Sequence, residues 1–165
     1  MNASGTIDLF MENAAKAAAE PVRVSSDHEL NEVLANILDS TAPVYCPRVT
    51  EREKAVSLPA ERFTEDYVNA GVCIEEVAGA IAETGSLVCT SKSAQSVQAG
   101  LLTPHHVAIV SADHIYEKLE DFFGSLGDTP PTNVTLETGP SRTADIELTL
   151  TIGVHGPARV TVIVY

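Results

Sequence analysis

The feature that most constrains the fold is a series of short, uninterrupted apolar runs separated by helical or turn-rich segments. Val107-Ala108-Ile109-Val110 is one such run, and the β-branched residues 159–165 are another. Continuous apolar runs predict strands that are buried on both faces, and such strands occur in parallel sheets covered by helices on each side. The sequence therefore predicts an α/β protein, a three-layer α/β/α sandwich with a mostly parallel sheet. The predicted strands are residues 22–24, 44–46, 72–74, 86–90, 107–110, 134–138 and 159–165.

Three segments have the spacing of helices. Residues 7–20 are rich in alanine and end before Pro21, residues 27–39 carry an apolar stripe at i, i+3, i+4, i+7 and i+8, and residues 113–123 are amphipathic up to Gly124. The charged residues 48–66 predict a loop with a helical turn. Residues 75–81 are interpreted as a short helical or irregular passage.

Size and charge limit the class of protein. A chain of 165 residues with 44% hydrophobic content suits one domain over residues 1–165, with a sizeable core. The formal net charge is −13, from 10 Lys+Arg and 23 Asp+Glu. Phosphate backbones and anionic membranes attract clustered basic residues, so this charge argues against nucleic-acid and membrane-surface partners.

Targeting and metal signals are weak in this sequence. Asp8 and Glu12 interrupt the first apolar segment, and no stretch approaches the ~18 apolar residues that a membrane span requires, so we expect a soluble cytoplasmic protein. Cys46, Cys73 and Cys89 are widely spaced and lack a CxxC pattern, which favours buried free thiols. We therefore expect neither a metal nor an iron–sulfur cluster in this chain.

Residues 138–157 combine two turns with several functional side chains. Gly139-Pro140 predicts a chain reversal, after which Ser141 or Thr143 can cap a short helix. A helix N-terminus beside the guanidinium of Arg142 would favour an anion such as a carboxylate or a phosphate. The alternative is that Arg142 pairs internally with Asp145, Glu147 or Glu83.

Glu83 and His155 are candidate site residues because each lies in a tight turn. Glu83 precedes a buried strand, a place where active-site groups gather in open α/β sheets, although it can equally be a turn carboxylate that bonds to nearby backbone. His155 lies between Gly153 and Gly156, where the backbone can approach a ligand closely. The alternative for His155 is a histidine that orders its own turn.

His105 and His106 stand together at the head of a predicted strand. Successive side chains of a strand point to opposite faces, so at most one of the two histidines should face a given site. Neither belongs to an HxxxH or HExxH pattern, and a metal role is not favoured for either.

Four separated motifs together resemble one known family. They are ETGS at residues 83–86, LLTPHHV at 101–107, GPSRTADIE at 139–147 and GVHGP at 153–157. In this combination and order the chain closely resembles the LUD (lactate utilization) domain family. The resemblance covers residues 71–165 well and residues 1–70 weakly.

The resemblance implies a fold similar to the NagB/RpiA/CoA-transferase group, which is a Rossmann-like α/β/α sandwich. It also implies a three-component system that oxidises L-lactate to pyruvate, with iron–sulfur clusters in partner subunits and no cofactor bound by this chain. The implied site for a small organic acid or anion consists of Glu83 as a candidate catalytic residue, with Thr84, Gly85, Ser141, Arg142, Thr143, Asp145 and His155 as substrate-binding residues.

These observations leave three hypotheses for the function. The first is an accessory or ligand-binding subunit of a lactate-oxidising complex. The second is a stand-alone acyl- or carboxylate-processing enzyme that uses Glu83 as nucleophile or base, and the third is a sensor of small ligands without catalysis. For the site, we predict that Glu83, Arg142 and His155 line one pocket.

Overall fold

A computed structural model describes residues 3–39, 41–91, 98–144, 150–153 and 155–165. The first part of the chain consists of α1 (Ala3–Lys16), β1 (Glu20–Arg23), α2 (Asp27–Ile37), β2 (Val44–Tyr45), α3 (Glu51–Lys54) and β3 (Val72–Glu76). The second part consists of β4 (Gly79–Ile81), β5 (Ser86–Thr90), α4 (Gln98–Leu102), β6 (His105–Val110), β7 (Ile115–Tyr116), α5 (Leu119–Ser125), β8 (Val134–Glu137), β9 (Arg142–Ala144), β10 (Leu150–Ile152) and β11 (Arg159–Val164). Short 3-10 turns cover Ala60–Arg62 and Ala112–His114.

The centre of the fold is a five-stranded parallel sheet with the order β1-β11-β6-β3-β2. Its middle strand is β6, whose six residues are all buried. His105 starts β6 opposite Val72 of β3 on one side and Arg159 of β11 on the other. The predicted α/β class with a mostly parallel central sheet is therefore confirmed.

A second sheet was not anticipated from the sequence. It has four strands in the order β7-β4-β5-β8, of which β4-β5 and β5-β8 pair antiparallel. β9 and β10 form a separate antiparallel pair. The chain thus adds an antiparallel unit to the parallel sheet that the apolar runs predicted.

Helices lie on both faces of the central sheet. On one face, α2 buries Leu30 and Leu34 against Val107 and Ile109 of β6. On the other face, α1 buries Phe10 in a cluster with residues of β6 and β11, and this cluster also includes Leu87 and Cys89 of the second sheet. Burial of these apolar side chains fixes the layers, because each face removes a continuous apolar surface from water.

Two secondary-structure predictions were wrong. The helical or irregular passage over residues 75–81 is instead the end of β3 followed by β4, because Gly79–Ile81 pairs with β5. The predicted helix 113–123 is reduced to α5, since Ile115–Tyr116 pairs with β4 as strand β7. In both places strand pairing with a distant segment outweighed local helical spacing.

The predicted helix start after Gly139-Pro140 was also wrong. Residues Arg142–Ala144 form strand β9, because Leu150–Ile152 offers an antiparallel partner. The backbone N–H of Ser141 donates to the carbonyl of Pro157 at 2.9 Å. This turn therefore presents no helix N-terminus to an anion.

Gly85 is a point where the fold tolerates no side chain. Its φ is +68°, and a Cβ there would overlap the backbone of Asn13 and Ala14 in α1. Gly127 has a similar φ of +62°, but nothing lies within 4 Å of its Cβ position. The two glycines share a backbone conformation and differ in their surroundings.

We expect Gly85→Ala to be much more destabilising than Gly127→Ala. Both variants place an alanine in the left-handed backbone region, which costs about 1–2 kcal/mol. Only Gly85→Ala also creates a steric overlap with α1, which typically costs a further ~1–3 kcal/mol. Urea denaturation of both variants measures the two free energies of unfolding. Equal losses would show that α1 does not pack on this turn as described.

Candidate functional site

The most unusual local arrangement is a buried histidine between two carboxylates. His106 is fully buried, and its Nδ1 lies 2.6 Å from Oε2 of Glu137. On the other side of the ring, Nε2 lies 3.2 Å from Oε1 of Glu75. We call these three residues the His106 cluster.

Strand register explains how the His106 cluster forms. His106 is paired with Cys73 of β3, so Glu75, two residues further along β3, points to the same face of the sheet. Glu137 is the last residue of β8 in the second sheet. The cluster therefore links the central sheet to the second sheet through buried charge.

Three polar atoms of the His106 cluster lack a hydrogen bond in the described part of the chain. They are Oε1 of Glu75, Nε2 of His106 and Oε1 of Glu137. The 3.2 Å contact between His106 and Glu75 is thus an ion pair without hydrogen-bond alignment. Gly100 of α4 covers these atoms, since a Cβ there would lie 2.5 Å from Nε2 of His106 and 2.6 Å from Oε1 of Glu75.

The adjacent histidines have opposite environments. Burial by itself disfavours the charged imidazole of His106 and would lower its pKa. The charge and hydrogen bond of Glu137, together with Glu75, outweigh the effect of burial and raise the pKa of His106 to about 10. Burial, helped by the charge of Arg159, lowers the pKa of His105 to about 4. His105 faces the other side of the sheet, where Nε2 lies 2.9 Å from Oγ1 of Thr161, so the prediction of opposite faces is confirmed.

A chain of hydroxyl groups joins two of the sequence motifs. Oγ of Ser86 lies 2.7 Å from Oγ1 of Thr84 and 2.7 Å from Oγ1 of Thr138. Ser86 ends the ETGS motif, and Thr138 begins the turn that precedes Ser141. The side chain of Glu137, next to Thr138, connects the same turn to His106 of the LLTPHHV motif.

The GVHGP turn completes the group of motifs. Gly153 donates its N–H to the carbonyl of Ser141 at 2.9 Å, and Ser141 donates its own N–H to the carbonyl of Pro157 at 2.9 Å. Ala158, which follows the turn, donates to the carbonyl of Pro104 at 2.8 Å. GPSRTADIE and GVHGP therefore contact each other directly, and the flanking residues Glu137, Thr138 and Ala158 link them to the other two motifs.

A cavity of about 360 Å³ opens where two of these motifs meet, and its polar side chain is His155. This volume lies within the usual range of small-molecule sites. The cavity is at the amino ends of β6 and β11, which begin after Pro104 and Ala158. Its lining consists of Leu101, Leu102, Pro104, Gly153, His155, Gly156 and Ala158.

The predicted site residues have separate local partners. The exposed Glu83 accepts a hydrogen bond at Oε1 from the backbone N–H of Leu119 at 3.2 Å. The exposed Arg142 donates from Nη2 to the carbonyl of Ala17 at 3.1 Å. No cavity described here has more than one of Glu83, Arg142 and His155 in its lining, so their convergence stays a prediction.

The remaining predicted residues are placed as follows. Thr84 is exposed apart from its contact with Ser86, and Gly85 packs on α1. Ser141 bonds to the GVHGP turn through its backbone. Asp145 and the side chain of Thr143 lie outside the described part of the structure.

Sequence reasoning missed both carboxylates of the His106 cluster. Glu75 was assigned to an irregular passage, and Glu137 was one acidic residue inside a predicted strand. The available signal was their position: Glu75 directly follows the apolar residues Val72–Ile74 within β3, and Glu137 is the last residue of β8. An ionisable side chain in a buried strand requires a partner, and that requirement could have directed attention to His106.

The fold itself is found in a solved structure. A crystal structure of a DUF162 family protein from Deinococcus radiodurans superposes with a TM-score of 0.72 and 21% identity, covering 99% of this chain and 98% of that one. This similarity places the chain in the same class of α/β fold.

The sequence comparisons then define the family. The profile of the LUD domain matches residues 47–165, and the chain belongs to the LUD domain family. Lactate utilization protein C of Bacillus licheniformis is 30% identical over 97% of this chain and 68% of its own length. The Bacillus subtilis protein of the same name is 27% identical over 96% of this chain and 68% of its own length. The match to the Geobacillus thermodenitrificans protein of that name covers 60% of this chain and 43% of the relative.

Among the described residues, no helix has the length and apolar character that crossing a membrane demands. Within the same residues, no group of three His, Cys, Asp or Glu side chains is arranged to hold a metal ion.

The two histidines predict opposite pH dependences of stability. A pKa of about 10 for His106 lies above the unfolded value of 6.5, so its stabilisation is complete below pH 6.5 and is lost as the pH rises through about 10. A pKa of about 4 for His105 lies below the unfolded value, so its contribution is present above pH 6.5 and is lost as the pH falls through about 4.

We expect His106→Gln to cost about 3–5 kcal/mol near pH 6.5, because it leaves the buried carboxylate of Glu137 and the half-buried carboxylate of Glu75 without their cation. The difference in the free energy of unfolding between this variant and the wild type should become smaller as the pH rises from 6.5 to 10. For the control His105→Gln, the difference should instead narrow as the pH falls from 6.5 towards 4. Denaturation experiments across this pH range measure how the loss in the free energy of unfolding changes with pH for each variant. The same pH dependence for both variants would contradict the opposite pKa shifts assigned to the two histidines.

Proposed function

We propose that this chain is an accessory, ligand-binding component of a lactate utilization system and that the His155 cavity holds a small organic acid. The observation that carries the proposal is the meeting of two of the LUD-type motifs, LLTPHHV and GVHGP, at this cavity. Support for the pathway comes from the relatives, which are named lactate utilization protein C.

The lining of the cavity suits a hydroxy or keto acid of a few carbons. An imidazole can donate an N–H to a carboxylate, and His155 is the ionisable residue of the lining. Leu101, Leu102 and Ala158 provide apolar surface for a methyl group. The turn glycines Gly153 and Gly156 let the backbone approach the ligand closely.

The more specific proposal is a role in oxidising L-lactate to pyruvate. That reaction releases two electrons and two protons, so a protein with this role needs an electron acceptor. The resemblance to LUD proteins implies iron–sulfur partner subunits as the acceptor. We also propose the implied likeness to the NagB/RpiA/CoA-transferase group for the fold.

Glu83 is not favoured as a nucleophile by its surroundings. Its carboxylate accepts the N–H of Leu119 at 3.2 Å, while Nδ2 of Asn13 donates to its backbone carbonyl at 3.3 Å. This is the arrangement expected of a turn carboxylate. The accessory, ligand-binding role is therefore preferred over an enzyme that uses Glu83.

We expect His155→Leu to weaken binding of L-lactate or pyruvate by about tenfold, the typical effect of losing one hydrogen bond to a charged group. Calorimetric titration of both acids measures this change. Glu83→Gln and Arg142→Gln are the matched controls. If the three side chains line one pocket, all three variants weaken binding, and if the cavity acts alone, only His155→Leu does. Binding that survives His155→Leu unchanged rules out this cavity.

Partner binding is a separate prediction. We expect the tagged chain to retain iron–sulfur proteins when it is purified from its native host, and the iron content of the eluate measures this. His155→Leu should retain the same partners, since it alters the cavity and leaves the fold intact. An eluate without iron from cells grown on lactate would contradict the proposed complex.

A further inference from the structure

A second and larger cavity lies at the carboxyl end of β2, which is an edge strand of the central sheet. It measures about 790 Å³, compared with about 360 Å³ for the His155 cavity. It opens where β2 ends at Tyr45, between residues 45–49 and residues 58–65. The crevice outside the carboxyl ends of parallel strands is the usual ligand position in open α/β sheets.

The described lining combines two aromatic rings with one guanidinium and with the carboxylate of Glu65. Tyr45 and Phe63 contribute rings, and the Arg48 guanidinium lies 5.0 Å above the centre of the Phe63 ring. Nη2 of Arg48 makes a long 3.4 Å contact with the carbonyl of Lys54. A guanidinium carries five N–H donors, so one long contact leaves donors for an anionic ligand.

The backbone at Arg48 is held in an uncommon conformation. Its φ is +56°, in the left-handed region that costs a non-glycine residue about 1–2 kcal/mol. Such residues persist where the surroundings over-determine them, and they concentrate at ligand-binding positions. Here the conformation accompanies a side chain that is stacked on Phe63 at the cavity wall.

The side chain of Glu53 holds the segment next to Arg48 in place. Its side chain is 1% exposed, and Oε2 accepts the N–H groups of Val49 at 2.9 Å and Thr50 at 3.2 Å. Its other oxygen accepts the N–H of Glu76 at 2.8 Å, at the end of β3. One buried carboxylate therefore ties the segment after Arg48 to the central sheet, which pre-organises this wall of the cavity.

We infer that this cavity is a second ligand site, which takes an aromatic or heteroaromatic anion. Rings stack on aromatic side chains and on guanidinium planes, and the Arg48 donors suit a carboxylate or a phosphate. The cavity is more than twice as large as the one assigned to a small organic acid. The inferred ligand is therefore a second molecule and not the three-carbon acid.

The shared chemistry of a ring and an anion can come from a nucleotide or from an aromatic acid, and the probes separate these sources. Calorimetric titrations of the full chain use AMP and FMN for the phosphate arm, with adenosine and riboflavin as their neutral counterparts. In the carboxylate arm, 4-hydroxybenzoate is compared with its neutral amide. We expect at least one anion to bind about tenfold or more tightly than its neutral counterpart.

Arg48→Gln should abolish that tenfold preference, while Arg23→Gln should leave it intact. Arg23 is the matched control because it is also an exposed arginine and lines neither of the two cavities. Phe63→Leu should weaken the anion and its neutral counterpart alike, because it removes the stacking surface. The inference is overturned if no probe binds, if Arg48→Gln keeps the preference, or if Arg23→Gln loses it as well.

Discussion

The contact of His106 with Glu137 and Glu75 is the interaction on which the rest of the structure depends. It lies on the middle strand of the central sheet and joins that sheet to the second one. Ionisable side chains that are removed from water are costly without partners. The arrangement is stable because each sheet supplies one carboxylate and the histidine is fixed between them.

Several motif residues maintain this architecture. Gly85 lies against the last turns of α1 and Gly139 against Ala17, the residue that follows this helix, and a Cβ at either glycine would overlap backbone atoms there. The hydroxyl groups of Thr84, Ser86 and Thr138 join two turns that are far apart in sequence. These motif residues therefore hold the junction of the elements together.

The two cavities lie at opposite ends of the parallel strands of the central sheet. The His155 cavity lies at the amino ends of β6 and β11, next to the motifs of residues 71–165. The Arg48 cavity lies at the carboxyl end of β2, and most of its lining falls within residues 47–165, which the LUD domain profile matches.

The sequence by itself determined the parallel sheet, helix α2 and the opposite orientations of His105 and His106, because apolar periodicity and the alternation of strand side chains are local properties. Only the tertiary structure decided that residues 79–81, 115–116 and 142–144 are strands, since their partners are distant in sequence. The same holds for Glu75 and Glu137. Their meeting at His106 depends on strand register and on the packing of two sheets, and neither is encoded in the local pattern around any one of the three residues.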